Sequence, residues 1–494
     1  MENIETKQTP FYSQKQDDKY SLLGRSIGVD TQTEYFTTRT IESSNLIPGD
    51  LNGQRLNFNF TVSPSAYIDW NNCNMEIGFI FTNDNAAGVA SNVSIPWNLL
   101  LSIFEEIKVK FNGTVVFNKV SREYLETQTF KLLTEYTNEE LNASEIVFAP
   151  VGDYNYNTGL ANGYGFDNDD ISSDDPNAKI RFQNWISPFI ESRNYTKYKR
   201  PTFKDLFFSM PGFSKNLRNV NIDVKLKKDI PLSKIKNDGN GKMTLKYMRL
   251  QLHEYNFSPS AAISALNNKI NGEDEHLSFI DVNKQDREYS PYITVTNQEN
   301  VQWVAAVQFC NSVTSKVGAN VGVEYQNCGQ FLLMNGYGKV NNANAAVSNI
   351  PHRADLPPTT NDNPPVLGAA CFGPITSIQA QYGSILYPSN AIDTQNDDNE
   401  TLLKTDELYS EYKKAVGFND PAVPEDIFKR TMPFFLVKFT PNIKLMQSGD
   451  IIIRMPGFAG SENTGSKKIS IIYGQLKSYN ISPSGIVSET ISSF

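Results

Sequence analysis

Apolar and polar residues alternate in several short segments of this chain. Leu56, Phe58, Phe60 and Val62 are separated by single asparagine or threonine residues. Because successive side chains of a β-strand point to opposite faces, this period of two predicts a strand with one buried and one polar face. Strands are predicted in the same way at 75–81, 107–111, 222–226, 291–296, 301–309, 434–439 and 451–455. Short strands separated by Asn, Gly and Asp turns indicate an all-β sandwich or barrel.

Other segments depart from this alternation. In 121–136 and in 405–418, apolar residues recur at spacings of three and four, which predicts amphipathic helices that cover a sheet. A short linking helix is predicted at 259–270. Two long polar stretches, 153–178 and 341–399, are predicted to be surface loops.

An internal repeat divides the chain into two halves. Residues 241–260 resemble 465–484 without a gap, and both copies end in Tyr-Asn-x-Ser-Pro-Ser. Tyr255 corresponds to Tyr479, an offset of 224 residues. Proline ends a central strand because it cannot donate to the ladder. The repeat therefore predicts two tandem domains of similar fold, each closing with the same final strand.

The length agrees with this division, because 494 residues are too many for one ordinary core. We predict an N-terminal arm at 1–40, a first domain at 41–262, a linker at 263–278, a second domain at 279–487 and a C-terminal tail at 488–494.

Composition and charge narrow the class of protein. Hydrophobic residues make up 39% of the chain and charged residues 20%, which is enough to build a sizeable core. Aromatic residues make up 12% and favour sheet. The net charge of −9 argues against nucleic acid as the main partner. We expect no membrane span and no signal peptide, because the longest apolar runs are short and the first 20 residues are polar.

Residues suited to metal binding or catalysis are few and dispersed. The four cysteines form no CxxC pair, which argues against a disulfide framework or a zinc site and favours a reducing cytoplasm or nucleus. No histidine stands at metal-ligand spacing from another. These residues are Cys73, Cys310, Cys328, Cys371, His253, His276 and His352. His253 is expected at an exposed strand position because its counterpart in the repeat is Lys477; His276 is expected in the linker and His352 in a loop.

The sequence contains none of the G-x-S-x-G, H-E-x-x-H or G-x-x-x-x-G-K-[ST] motifs. The glycines of 159–166 lie in a polar stretch and are expected to form a surface loop rather than a phosphate cradle. We therefore predict no catalytic, cofactor-binding or metal-binding residues, no cofactor and no enzymatic activity.

Two charged clusters leave alternatives open. The acidic residues of 167–170 and 174–175 could bind calcium, although a solvated acidic loop is the default. A basic cluster could contact nucleic acid, but ion pairing between subunits or a solvated face is favoured. Its members are Arg193, Lys197, Lys199, Arg200 and Lys204, interleaved with Tyr195, Tyr198 and Phe203.

Two motifs near the N-terminus carry a family resemblance. The first, at 60–81, reads FTVSPSAYIDWNNCNMEIGFIF; the second, at 95–113, reads IPWNLLLSIFEEIKVKFNG. In the second, an apolar turn leads into a strand that ends at Asn112-Gly113, a strong hairpin signal. In order and spacing the two motifs resemble the first jelly roll of double jelly-roll major capsid proteins. Relatives would be those of virophages, polinton-like viruses and Maverick/polinton elements, with adenovirus hexon as a more distant member.

The resemblance implies an all-β chain of two tandem eight-stranded jelly-roll β-barrels with a few short helices and long surface loops. It further implies a homotrimer of pseudo-hexagonal outline that tiles an icosahedral shell, with penton and minor capsid proteins as partners. The location implied is the virion, after assembly in the host cytoplasm or nucleus.

Other classes of function stay open at this point. Jelly rolls also serve as carbohydrate-binding or adhesion modules, and Tyr154, Tyr156 and Tyr164 could supply an aromatic platform. A glycosidase would need only two carboxylates about 5–10 Å apart. A cupin would need a histidine-rich metal set, which three dispersed histidines do not readily supply.

Overall fold

The computed structural model describes just over half of the chain. The described residues are 33–45, 49–62, 66–83, 93–94, 98–147, 194–208, 217–230, 233–234, 241–258, 260, 263, 274–288, 290–307, 312–317, 321–326, 377–393, 406–425, 428, 434–439, 448–455 and 468–490.

The first half of the chain is built from two antiparallel sheets, one of four strands and one of four main strands with a short fifth strand. Its strands are β1 Thr33–Glu42, β2 Arg55–Thr61, β3 Ala66–Ile68, β4 Asn74–Asn83, β5 Val93–Ser94, β6 Phe104–Phe111, β7 Thr114–Val120, β8 Asn194–Lys199, β9 Asn219–Leu226, β10 Ser233–Lys234 and β11 Gly241–Phe257. One sheet has the order β1-β11-β4-β8, with β3 also paired to β11, and the other has the order β2-β9-β6-β7, while β5 pairs with β10.

The second half repeats this plan. Its strands are β12 Glu275–Glu288, β13 Tyr292–Glu299, β14 Val301–Val307, β15 Ser312–Val317, β16 Val321–Gln326, β17 Ser377–Tyr382, β18 Ile385–Asp393, β19 Phe435–Lys438, β20 Ser448–Arg454, β21 Lys468–Ile481 and β22 Val487–Thr490. One sheet has the order β12-β21-β14-β19 and the other β13-β20-β17-β18, while β15 pairs with β16.

Both halves share one topology. When the eight main strands of each half are numbered along the chain, both give sheets of order 1-8-3-6 and 2-7-4-5. Two sheets of four strands with these crossovers form a jelly roll. The repeat falls on the eighth strand of each half, β11 and β21, as predicted. The turn that ends each copy also contains the same hydrogen bond, between Ser258 Oγ and Ser260 Oγ at 3.4 Å and between Ser482 Oγ and Ser484 Oγ at 2.7 Å.

Alternation places the core between the sheets. On β2, Leu56, Phe58 and Phe60 are buried while the residues between them are not. Each fully buried side chain of this size contributes about 1.5–3 kcal/mol of transfer free energy, so the alternation favours packing of the two sheets against each other.

Five helices accompany the strands among the described residues: α1 Leu99–Ser102, α2 Ser121–Glu135, α3 Asn138–Ala143, α4 Phe203–Leu206 and α5 Asp406–Val416. The helices predicted at 121–136 and 405–418 are thus confirmed. The apolar turn of the second motif is α1, and all four of its residues are buried. The predicted linking helix at 259–270 lies outside the described residues except for Ser260 and Ile263.

Two expectations about irregular structure were wrong. The stretch 341–399 is not a loop throughout, because β17 and β18 lie within it. β18 is a half-exposed edge strand that contains Pro388, so it lacks the alternation of a central strand. His276 belongs to β12 rather than to a linker.

The sheets also reach beyond the predicted boundaries. β1 begins at Thr33, inside the predicted arm; β12 begins at Glu275, inside the predicted linker; and β22 ends at Thr490, inside the predicted tail. β1 and β12 are edge strands with many polar residues, so hydrophobicity alone marks their ends poorly. The division into arm, two domains, linker and tail stays a proposal.

Candidate functional site at the junction of the two jelly rolls

Helix α2 joins the two halves. Within the first half, Tyr124 Oη donates to the Leu206 carbonyl at 2.9 Å and Gln128 Nε2 to the Asp205 carbonyl at 2.7 Å. From the second half, the Phe434 ring meets Phe130 edge-on with centroids 5.5 Å apart. Every residue from 124 to 133 is buried. The expectation of a one-sided amphipathic helix was therefore wrong for α2, because it is covered by both halves.

Charged residues cross the junction in pairs. Glu126 of α2 forms an ion pair with Lys284 of β12, and their side chains are only 1% and 6% exposed. Beside them, Lys119 Nζ lies 3.3 Å from Asp281 Oδ1 and 2.7 Å from Asn283 Oδ1. A buried charge is tolerated only when it is paired, so these pairs favour one alignment of β7 and α2 against β12.

Aromatic rings fill the junction around these pairs. Phe208, which follows α4, stacks on Phe279 of β12 with centroids 4.0 Å apart and planes 12° apart. Phe279 also stacks on Tyr479 of β21 at 5.9 Å. In addition, Tyr412 Oη of α5 donates to the Leu133 carbonyl of α2 at 2.7 Å. The two halves thus share one apolar interior rather than touching at their surfaces.

The Asn112-Gly113 hairpin makes the outer contact. Both residues have positive φ, 47° and 92°, as a two-residue turn that matches strand twist requires, so the predicted hairpin is confirmed. Asn112 Oδ1 accepts from the backbone N–H of Arg218 at 2.9 Å. Arg218 Nη2 then donates to the Pro483 carbonyl of the second half at 2.7 Å, and Thr114 Oγ1 donates to the Val487 carbonyl at 3.3 Å.

A buried carboxylate lies on the outer face of the β1-β11-β4-β8 sheet, away from the junction. Glu76 of β4 is 1% exposed and accepts hydrogen bonds from Arg200 Nε at 2.5 Å, Arg249 Nε at 2.9 Å and Gln251 Nε2 at 3.0 Å. Burial alone would raise the pKa of Glu76, but the two arginines outweigh it and hold the pKa below its ordinary value. Beside it, the ring of Tyr247 covers Gly78, where any side chain would clash.

This carboxylate accounts for part of the predicted basic cluster. Arg200 pairs with Glu76 and lies 4.9 Å from the exposed Tyr198 ring. Lys199 Nζ donates to the Val147 carbonyl at 2.9 Å, and Lys204 Nζ lies over the Tyr136 ring at 4.1 Å. Phe203 is buried in the core. The described members of the cluster therefore have partners within the chain. Arg193 and the side chains of Tyr195 and Lys197 lie outside the described residues.

The other candidate residues are dispersed. His253 is half-buried on β11 opposite Thr38, and His276 lies on β12 opposite Asn480. Burial raises the pKa of the Cys73 thiol to about 12, so this thiol stays protonated and unreactive. Within the described part of the chain, no group of three or more His, Cys, Asp and Glu residues could hold a metal ion.

Several candidates fall outside the described residues. These are the 159–166 glycines, the acidic residues of 167–175, Tyr154, Tyr156, Tyr164, His352, Cys310, Cys328 and Cys371. Of the helices that are described, none is long and apolar enough to cross a membrane.

No protein-family model and no curated protein sequence matches the chain. Among solved structures, it is similar to a chain in a cryo-EM structure of the Sputnik virophage. The TM-score is 0.51 at 11% sequence identity, over 95% of this chain and 91% of that one. This chain has the double jelly-roll fold. The resemblance predicted from the 60–81 and 95–113 motifs is thus confirmed for the fold.

Two further similarities have lower scores. A chain of the PBCV-1 virus capsid matches with a TM-score of 0.48 at 10% identity, over 94% of this chain and 98% of that one. The mavirus major capsid protein matches with a TM-score of 0.43 at 12% identity, over 100% and 97% of the two chains.

The sequence patterns did not predict the buried charged residues that connect strands and join the two jelly rolls. Neither the Glu76 carboxylate nor the junction pairs were foreseen. For Glu76 a signal exists, since it is the one charged residue in the apolar 75–81 strand. For Glu126 and Lys284 no signal exists, because each stands in an ordinary mixed-charge segment.

Proposed function

We propose that this chain is a major capsid protein whose homotrimers form pseudo-hexagonal capsomers of an icosahedral viral shell. The observation that carries the proposal is the pair of jelly rolls with identical topology, joined by a buried junction, in a fold shared with a chain of a virophage particle.

The geometry suits a shell unit. Ion pairs and stacked rings fix the two jelly rolls against each other, so the chain acts as one rigid block with two similar faces. Three such chains place six similar units around an axis, and a head-to-tail contact that closes on itself gives a ring. Obligate contacts of this kind bury about 2,000 Å² or more.

The role proposed is structural and not enzymatic. The partners are neighbouring copies, penton proteins and minor capsid proteins, and the location is the virion. Specific nucleic-acid binding is not part of the proposal, because the chain carries a net charge of −9.

Solution mass and negative-stain images of the same purified fraction test the proposal. We expect a mass of about 166 kDa, three times the 55.4 kDa of one chain, and particles with a hexagonal outline. A species that stays at 55.4 kDa at all concentrations, or a particle of another symmetry, would contradict it.

A further inference from the structure

Two different surfaces meet at the junction within the chain, and we call them the covering part and the receiving part. The first jelly roll supplies the covering part, which consists of the β6–β7 hairpin and the helix α2 that follows it. The second jelly roll supplies the receiving part, which consists of the outer face of β12 and β21 and the turn after β21. Phe279 and Asp281 of β12 are buried there by contacts with the first half.

Each half contains a counterpart of both parts. In the second half, α5 comes after the β17–β18 hairpin along the chain, as α2 comes after the β6–β7 hairpin, but α2 begins directly after β7 whereas α5 begins at Asp406 and β18 ends at Asp393. The hairpins share a backbone bond to the strand beside them: Asn112 N–H donates to the Asn219 carbonyl at 2.8 Å and Gly383 N–H to the Asp450 carbonyl at 3.1 Å. In the first half, β1, β11 and the turn at 258–260 correspond to the receiving part.

Register identifies equivalent residues on the two receiving parts. Tyr255 of β11 lies opposite Phe36, and its repeat counterpart Tyr479 lies opposite Leu277. Two residues further along, Thr38 of β1 therefore corresponds to Phe279 of β12. Two residues beyond these, Thr40 of β1 corresponds to Asp281 of β12 in the same way. Phe279 and Asp281 are buried by the first half, whereas both threonines are exposed.

The exposed face around these threonines has the composition of an interface. It carries Tyr198, Arg200 and Arg249 around the buried Glu76, and tyrosine and arginine are enriched in interface centres. Glu42 of β1 lies on the same face, opposite Arg249, so the two arginines are balanced by two carboxylates. Helix α5, the counterpart of the covering helix, carries acidic and basic residues as well, with three acidic residues and two lysines.

We propose that the outer face of β1 and β11, with the turn at 258–260, is the docking surface for the second jelly roll of another copy of this chain. The β17–β18 hairpin and α5 of that copy cover this face as the β6–β7 hairpin and α2 cover β12. The inference rests on the proposed trimer and names the surfaces that hold it together. A contact between unlike surfaces repeats from copy to copy and closes after three chains.

Paired cysteine substitutions and a short bismaleimide test this docking on the full chain. The test pair is Ser260→Cys with Ile385→Cys, which places thiols on the turn and on the hairpin proposed to meet between copies. The control pair is Ser484→Cys with Thr114→Cys, the equivalent positions that meet within one chain. Single substitutions report any linkage through native cysteines.

We expect the test pair to give covalent dimers and trimers on a denaturing gel, and the control pair to give an internally linked monomer. A trimeric test variant that stays uncrosslinked while the control is linked would overturn the docking surface and leave the proposed capsomer standing. A chain that is monomeric in solution would overturn both.

Discussion

Glu76 shows how a single buried charge is kept on a sheet surface. Its two arginine partners lie on neighbouring strands, β8 and β11, or directly after them, so the carboxylate ties three strands together across the outer face. Because its pKa is held below the ordinary value, folding favours the ionised form. The stabilisation is therefore present above the unfolded pKa of about 4.3 and is lost as pH falls through the lower folded pKa.

We predict that Glu76→Gln lowers stability near neutral pH by about 1–3 kcal/mol, because a neutral amide pairs weakly with two arginines. The variant should also lose less stability than the parent chain as pH falls below about 4. Thermal midpoints measured across pH 3–7 check both effects, and Glu139→Gln, at an exposed helix position, serves as the control. Equal acid sensitivity in Glu76→Gln and the parent chain would contradict this role.

The sequence predicts on which face of its strand Glu76 lies, but not which residues pair with it. The alternation of 75–81 puts Glu76 on the polar face of a strand, which is where it lies. Its burial depends on Arg200 and Arg249, which are 124 and 173 residues away. Pairing at that distance depends on the sheet order, which the local pattern does not contain.

The contact between α2 and β12 holds the two jelly rolls together as one block. Glu126 and Lys284 face each other there in a dry environment. We predict that Lys284→Met destabilises the chain by about 3–5 kcal/mol, because it leaves the Glu126 carboxylate buried without its cation. Chemical denaturation followed by tryptophan fluorescence measures the loss.

The matched variant for this prediction removes both charges. Glu126→Leu with Lys284→Met should recover most of the stability, because a well-packed apolar pair replaces a buried ion pair at little cost. If the double variant is as unstable as the two single losses added together, the residues do not act as a pair.

Elements differed in how well the sequence predicted them. The Asn112-Gly113 turn and the helix at 121–136 carry strong local signals, and both are confirmed. β18 carries no such signal, because it is a half-exposed edge strand that contains a proline. Its strand conformation depends on pairing with the neighbouring strand rather than on its own sequence. The helical period of α2 predicted its existence but not its burial on all sides, which depends on a second domain about 150 residues further along the chain.

At the scale of the whole molecule, the two equivalent receiving faces differ in polarity. The face on β12 and β21 is lined by aromatic rings and buried ion pairs, whereas the face on β1 and β11 is lined by threonines, arginines and tyrosines. Apolar junctions suit contacts that form once, during folding, and polar ones suit partners that first exist apart. The chain would thus fold as a two-domain block before copies associate.

Thr38→Arg tests this association at the centre of the proposed face. Thr38 is exposed in the single chain, so a longer charged side chain should leave the thermal midpoint of the monomer almost unchanged. At the position equivalent to Phe279, however, it would block close approach of a second copy. We predict a shift from about 166 kDa to 55.4 kDa in light scattering.

The control is Thr294→Arg, an exposed threonine on β13 of the other kind of sheet, which should leave the mass at that of the trimer. If Thr38→Arg assembles as well as Thr294→Arg does, copies meet through another surface. The two faces would then share their strand order but not their role in contacts.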